Sequence, residues 1–245
     1  MAKLEPYSKK LPYSYTLGVF PSLMLLEAHP ERAMRLLVHS DGEKNEGVQK
    51  LRERCAALGV REEIADRVLK RESKKDNCFA GLVFEKYEID PSPTECHAVL
   101  CQISDLGNAG TALRSLIGFG IHDVALVRPC VDVFDPHVLR ASMGAFFKMR
   151  VRTFDTFDDY RALYPDRQLY PFMLDGAKTL NEVAAQAVKP YSLVFGNEAS
   201  GLPTHFSSLG QSVFIPQSDE IDSLNLAVAV SVGAYTFLHG GKNND

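Results

Sequence analysis

The sequence predicts an α/β protein in two parts. A small α/β domain is expected over residues 1–90, and a larger one over 96–245 with a mainly parallel sheet and helices on both its faces. Three observations predict this. From Tyr15 to Tyr87, runs of strand and helix character are mixed. Residues 89–95 (IDPSPTE) carry two prolines and no apolar periodicity, the composition of a linker. After it, strand-length apolar runs alternate with runs of helical period, the rhythm of parallel strands joined by crossover helices.

In the first part, residues 1–14 are polar and expected to be irregular. Residues 18–30 (GVFPSLMLLEAHP) place a proline near a helix start and end at His29-Pro30. Residues 33–40 (AMRLLVHS) read as a strand and 80–87 (AGLVFEKY) as another. Between them, 46–58 and 62–71 have the period of amphipathic helices. Their dense charges of both signs suit a solvated face.

In the second part, residues 97–104 (HAVLCQIS) form the first strand. Asn108 is then expected to cap a helix with Leu113, Leu116 and Ile117 as its buried stripe, stopping at Gly118 or Gly120. Arg114 falls at the edge of that stripe. Residues 124–129 form a strand, and Asp135-Pro136 opens a helix running to Lys148 with a cap and a first-turn proline. Residues 149–154 and 170–176 continue as strands, 155–165 and 179–188 as helices.

Two further runs, 192–203 (SLVFGNEASGLP) and 213–229 (VFIPQSDEIDSLNLAVA), each begin as a strand and break into a polar loop before a helix. Gly196 and Gly201 bracket Glu198, which sets its carboxylate on a tight turn. Asp222 or Ser223 is expected to cap the last helix, Ser223 to about Leu238. That helix is apolar nearly all round, so it is buried in the core or in a subunit interface.

Three motifs stand in order along this second part: Asn108-Ala109-Gly110 with Arg114; Gly196-Asn197-Glu198 with Gly201-Leu202; and Ile215-Pro216 with Ser223-Leu224-Asn225. Together they resemble the SpoU/TrmH family, the 2′-O-ribose RNA methyltransferases of the SPOUT superfamily. That family's pattern is N-x-G-x-x-x-R, then G-x-E-x-x-G-L, then I-P with S-L-N. No motif residue departs from it, and the resemblance covers residues 96–238. It implies a C-terminal trefoil knot, which runs against the general absence of knots in proteins. It implies S-adenosylmethionine as cofactor, held around Phe195, Gly196, Asn197, Glu198 and Gly201, and around Ile215, Pro216, Ser223, Leu224 and Asn225. It implies Arg114 as the catalytic residue, with Asn108, Glu198, Ser223 and Asn225 orienting the reacting groups. A guanidinium stays protonated, so Arg114 reads better as an electrostatic clamp than as a literal base. The resemblance further implies a tRNA or rRNA partner, a homodimer, and substrate recognition by the N-terminal domain.

Other classes fit less well. The turn after the first strand of the second part, DLGNAGTALR, lacks the G-x-G-x-x-G of a dinucleotide-binding fold. A hydrolase elbow would need a serine where Glu198 stands. A non-catalytic RNA-binding member of the same fold would be expected to lose Arg114 or the Ser223–Asn225 pair.

Composition is that of an ordinary soluble protein, 45% hydrophobic and 24% charged. No apolar run approaches the ~20 residues that cross a bilayer, and MAKLEPYSKK lacks a signal-peptide core. No membrane partner and a cytoplasmic location are expected. Five cysteines, an odd number without C-x-x-C, suit reduced thiols. Cys96, His97 and Cys101 lack zinc spacing, so no metal is expected. With a net charge of −4, phosphate binding must rest on local clusters. Arg140, Lys148, Arg150 and Arg152 lie in an acid-free window and are the expected RNA-binding patch. A second candidate surface is the mixed-charge helices, with Lys50, Arg52, Arg54, Lys70, Arg71, Lys74 and Lys75.

Overall fold

The computed structural model describes residues 4–240, which divide into two compact units. One comprises the chain up to Tyr87 together with Asp132–Lys148. The other comprises Glu88–Val131 and the described residues from Met149 onward.

The first unit runs β1 (Tyr13–Tyr15), α1 (Val19–Ala28), β2 (Ala33–Val38), α2 (Glu46–Ala57), β3 (Arg61–Ile64), α3 (Asp66–Ser73) and β4 (Ala80–Glu85). Its strands lie in the order β1-β4-β2-β3, with β4 antiparallel to β1 and β2, and β3 parallel to β2. α2 follows its apolar period: Val48, Leu51 and Cys55 are buried, and the Asn45 side chain caps the Gly47 and Val48 N–H groups. Two expectations are corrected. Tyr13–Tyr15, within and beside a stretch expected to be irregular, is an edge strand. The helix expected over 62–71 is a strand followed by a shorter helix. The glutamates of 61–64 favour helix locally, but pairing with Arg35–Val38 gives the backbone its partners, and the charges suit an edge strand. Tyr15, Leu17, Leu37, Leu69 and Val83 pack the core of this unit.

The second unit opens with β5 (His97–Cys101), α4 (Leu106–Phe119) and β6 (Asp123–Val127). The chain then leaves it for Asp132–Lys148, which carries α5 (Pro136–Ala141). α5 has the expected Asp135 cap and first-turn proline, but left-handed Met143 and Gly144 (φ 52° and 75°) end it early. The chain returns with β7 (Arg150–Phe154), α6 (Phe157–Leu163), β8 (Gln168–Pro171), β9 (Lys178–Thr179), α7 (Leu180–Ala184), β10 (Tyr191–Phe195), β11 (Val213–Phe214) and α8 (Leu226–His239). Strands β7-β6-β5-β10-β8 form one sheet, parallel throughout.

Alternate residues serve its two faces. Val99, Cys101, Ala125, Val127 and Val194 pack on Phe157 and Tyr160 of α6 and on Phe206. On the other face Tyr191 and Tyr170 meet Phe237 of α8. Gly233 of α8 lies so close to Phe172 that a Cβ there would come within 2.7 Å of the ring.

The first change of unit falls beside the expected linker, between Tyr87 and Glu88, but the division differs from expectation farther on. Residues 132–148 belong with the first unit, where the Ser14 hydroxyl donates to Phe134 O and Lys86 pairs with Asp132 at 3.0 Å. No local signal marks such an excursion, because long-range packing creates it. The stretch 89–95 is also not a free linker. Ser92 N–H donates to Asp123, Tyr164 donates to Pro91 O, and the buried Arg167 donates to Pro93 O and Glu95 O. A proline-rich segment without periodicity still presents carbonyls, and the second unit binds them.

Candidate functional site

Loops following β8, β10 and β11 enclose a cleft of about 740 Å³. The carboxyl ends of parallel strands are where α/β sheets place their ligand sites.

The loop after β10 is set by two glycines. A Cβ on Gly196 would lie 2.2 Å from the carbonyl carbon of Gly201, and Gly201 has φ +65°. Asn197 and Gly201 exchange both backbone hydrogen bonds, at 3.2 and 2.9 Å, which closes the turn. Inside it the Asn197 Oδ1 accepts from Ala199 and Ser200 N–H, while its Nδ2 donates to Gln102 O at 2.7 Å. The loop is therefore pinned to the end of β5.

Glu198 extends that attachment. Its carboxylate accepts from Ser104 N–H, Ser104 Oγ and Asp105 N–H, each at 3.1 Å, and from Asn108 Nδ2 at 3.5 Å. Partial burial pushes its pKa up. The hydrogen bonds from its own backbone and from Asp105 and Ser104 outweigh that and hold it below the ordinary carboxylate value. Glu198 thus fills the amino end of α4, where unpaired N–H groups and the helix dipole favour an anion. The cap of α4 itself is Asp105, which accepts from Asn108 N–H at 2.6 Å; Asn108 lies inside the helix.

From there a chain of amides crosses to the last helix. Asn225 Oδ1 accepts from Ala227 and Val228 N–H, so Asn225, rather than Asp222 or Ser223, caps α8. This turns its Nδ2 toward Asn108 Oδ1, at 2.9 Å, and leaves Asn108 Nδ2 facing Glu198. Each amide orientation follows from the last, starting from backbone donors that cannot reverse. One residue from each of the three motifs is joined in this way.

The structure gathers the expected cofactor residues unevenly. Phe195, Gly196, Asn197, Glu198 and Gly201 line the cleft from one side, and Ile215, Pro216, Ser223 and Leu224 from another. Asn225 stands behind them as the cap. The Ser223 hydroxyl makes no hydrogen bond among the described residues. Arg114 lies on the exposed side of α4, outside the cleft lining, without a hydrogen bond or ion pair among the described residues.

The expected basic patch is divided. Arg150 binds Asp123 through two hydrogen bonds of 2.6 and 2.5 Å, Arg152 pairs with Asp90 at 2.8 Å, and Lys148 with Glu27 at 3.3 Å. Arg140 donates to Ser73 O at 3.0 Å. Arg140 and Lys148 belong to the first unit, Arg150 and Arg152 to the second.

Sequence reasoning missed several residues here. Ser104 and Asp105 precede a helix, so their capping was legible, but not the carboxylate that would meet them. Phe172 lines the cleft and stacks on Phe195 with centroids 4.3 Å apart. It was hidden inside a run read as strand. Asp175, Asp219 and Asp222 join Glu198 in the lining, and no lysine, arginine or histidine does. Among the described residues no cluster of three or more metal-ligating side chains occurs, and no helix is long and apolar enough to cross a membrane.

A parallel sheet with a cleft at its strand ends defines an α/β protein built to bind a small ligand. The sequence pattern of the SpoU rRNA Methylase family matches residues 95–235, more than half of the chain, and the protein belongs to that family. An uncharacterized tRNA/rRNA methyltransferase of Synechocystis is 30% identical over 164 residues, 65% of this chain and 59% of that protein. The chain thus spans well under two thirds of that relative's length. Among solved structures, the AdoMet-bound rRNA methyltransferase from Sinorhizobium meliloti superposes with a TM-score of 0.77. The two are 23% identical, and 91% of this chain and 86% of that one are covered. An RNA 2′-O ribose methyltransferase superposes at 0.75 with 24% identity, covering 93% and 88%. At these identities the likeness is one of fold.

Proposed function

We propose that this protein transfers the methyl group of S-adenosylmethionine to a ribose 2′-hydroxyl of a structured RNA, a tRNA or an rRNA. The observation that carries this function is the charge of the cleft. Four carboxylates and no basic side chain line it. A pyrophosphate would be repelled there, which disfavours a dinucleotide cofactor, whereas a ligand bearing a sulfonium and an ammonium is attracted. Membership of the SpoU family supports methyl transfer to RNA. The AdoMet-bound neighbour supports the donor, and the ribose methyltransferase neighbour the acceptor.

When bound, S-adenosylmethionine supplies an electrophilic methyl group on a positively charged sulfur. The chain's own residues hold it and prepare the acceptor. Backbone groups of Phe195–Gly201 and Ile215-Pro216, with the Leu224 side chain, surround the donor. Ser223 offers its hydroxyl to the reacting end. Glu198, Asn108 and Asn225 fix the loops around it, a matter of geometry that enters the rate directly. Arg114, always protonated, clamps the phosphate beside the reacting ribose and lowers the cost of an alkoxide.

The segment that builds the cleft is a trefoil knot, as the resemblance of its motifs implies. The protein works as a homodimer in the cytoplasm, with α8 in the interface. Val228, Val232 and Tyr235 are exposed at i, i+4 and i+7, an apolar stripe on the side of α8 away from its buried Leu226, Ala227, Val230, Gly233, Ala234 and Phe237. Residues 1–90 contribute substrate recognition.

The test is methyl transfer from labelled S-adenosylmethionine to unmodified tRNA and rRNA transcripts, with the product mapped by resistance to alkaline cleavage. Arg114→Ala should cost roughly a hundredfold in rate with cofactor affinity intact. A methyl group found on a base would overturn the ribose assignment. RNA binding without transfer would return the chain to the non-catalytic members of the fold.

A further inference from the structure

We propose that the exposed face of α3, continued by the turn at Lys74 and Lys75, is the phosphate-docking surface of the first unit, on which the backbone of the substrate RNA lies. The inference rests on RNA being the substrate.

Arg67, Lys70, Arg71 and Lys74 recur at i, i+3, i+4 and i+7, the spacing of one helical face, and Lys75 follows; all five are exposed. The opposite face is the buried one, with Leu69, Glu72 and Ser73 turned inward. Between residues 67 and 75 the single acid is Glu72, and it is 7% exposed. From Arg67 to Lys74 the helix rises about 10 Å, room for about three phosphates of one strand.

Three of these cations differ from those of the divided patch above. Arg67, Lys74 and Lys75 make no side-chain ion pair among the described residues. Lys70 meets Asp76 at 3.1 Å, but both are largely exposed, and such a pair yields readily to a competing anion. Arg71 is engaged within the unit, by Glu72 at 2.6 Å and by Leu4 O at 3.4 Å, and adds charge to the face rather than a free donor.

Helix stability accounts for only part of this arrangement. Cations in the last turn offset the helix dipole, which explains Lys70 and Arg71. Arg67 stands in the first turn, where the dipole opposes it. Lys74 occupies the left-handed position after the helix with φ 52°, a place that favours glycine. A lysine kept at a strained position exposes its charge at a cost to the fold. The turn around it is built: Ser73 Oγ donates to Lys75 O at 2.9 Å and accepts from Lys75 N–H, and Arg140 holds Ser73 O. No large apolar side chain of α3 is exposed, which argues for a phosphate backbone rather than a lipid surface.

The experiment uses the full chain, a fluorescein-labelled unmodified tRNA transcript and a labelled rRNA hairpin, with binding followed by anisotropy across a salt series. The triple variant Arg67→Gln, Lys70→Gln, Lys74→Gly should lose at least tenfold in affinity for the RNA it binds. Its slope of log K against log salt should flatten by about 2, three contacts at about 0.7 each. Its melting temperature should hold or rise, because glycine relieves the positive φ. A control with Lys50→Gln, Arg54→Gln and Arg61→Gln removes equal charge from α2 and β3 and should lose less than threefold. The proposal is overturned if the triple variant binds like the wild type, if the control loses as much, or if the wild type binds neither RNA. Calorimetry with S-adenosylmethionine separates the two claims: wild type that binds RNA but not the cofactor would sink the methyl-transfer function and leave this surface standing.

Discussion

Glu198→Gln is the substitution that best separates positioning from chemistry. The carboxylate accepts on both oxygens, from Ser104 on one and from Asp105 and Asn108 on the other. A glutamine keeps one oxygen. If that oxygen faces Ser104, its NH₂ meets the Asp105 N–H, donor against donor, and the reverse orientation is no better. One charge-assisted hydrogen bond, worth roughly 1.5–3 kcal/mol, is lost. The site is partly exposed, so water recovers some of this, leaving a loss of about 1–2 kcal/mol. A penalty of that size on the loop Asn197–Gly201 should weaken S-adenosylmethionine about tenfold, read by calorimetry. It should also lower the urea midpoint. The pH dependence has a definite sign. The folded pKa of Glu198 lies below its ordinary value of 4.5, so its stabilisation is complete above that value and fades as pH falls below it. Glu198→Gln should lack this acid-dependent component. Unchanged affinity and midpoint would refute the positioning role. A variant that binds and folds normally yet transfers no methyl would move Glu198 into the chemistry.

Three other outcomes follow from the same geometry. Asn225→Asp keeps an acceptor for Ala227 and Val228 but cannot donate to Asn108, so thermal stability should hold while kcat falls; a large drop in melting temperature would show that the amide bridge also carries stability. Arg150→Glu would set two carboxylates together at Asp123, which is 1% exposed, and should cost about 3 kcal/mol by urea unfolding, so this reversal probes stability before it probes RNA. A midpoint like the wild type's would refute that. Burial and the nearby Arg167 lower the His97 pKa to about 4, and its ring is held by Ser92 O at 2.7 Å and Tyr160 at 2.9 Å. The unfolded ring protonates first, so the stability this provides is complete above pH 6.5 and declines as pH falls toward 4; the decline should shrink in His97→Asn, and an equal decline in both would rule His97 out as its source.

The sequence by itself determined the alternation that makes a parallel sheet, because β5, β6 and β10 are apolar runs of buried strand length, every residue of which is buried. It also determined the three motifs, because Gly196 and Gly201 are dictated by a local turn that tolerates no Cβ at one position and needs a positive φ at the other. Tertiary structure alone decided what those motifs touch. Asn108 was legible as a capping type, yet Asp105 took the cap and freed the Asn108 amide to bridge Glu198 and Asn225, more than a hundred residues away in one case. The pairing of the expected basic patch was illegible for a similar reason: the window from Arg140 to Arg152 is free of acids along the chain, but Asp123, Asp90 and Glu27 arrive through space. The helix of α3 was half hidden by residues 61–64, whose glutamates favour helix until β2 offers them a ladder. Local pattern fixes which residues turn inward along one element. Which carboxylate, carbonyl or amide answers a given donor depends on elements far apart in sequence, and the packing of the sheet brings them together.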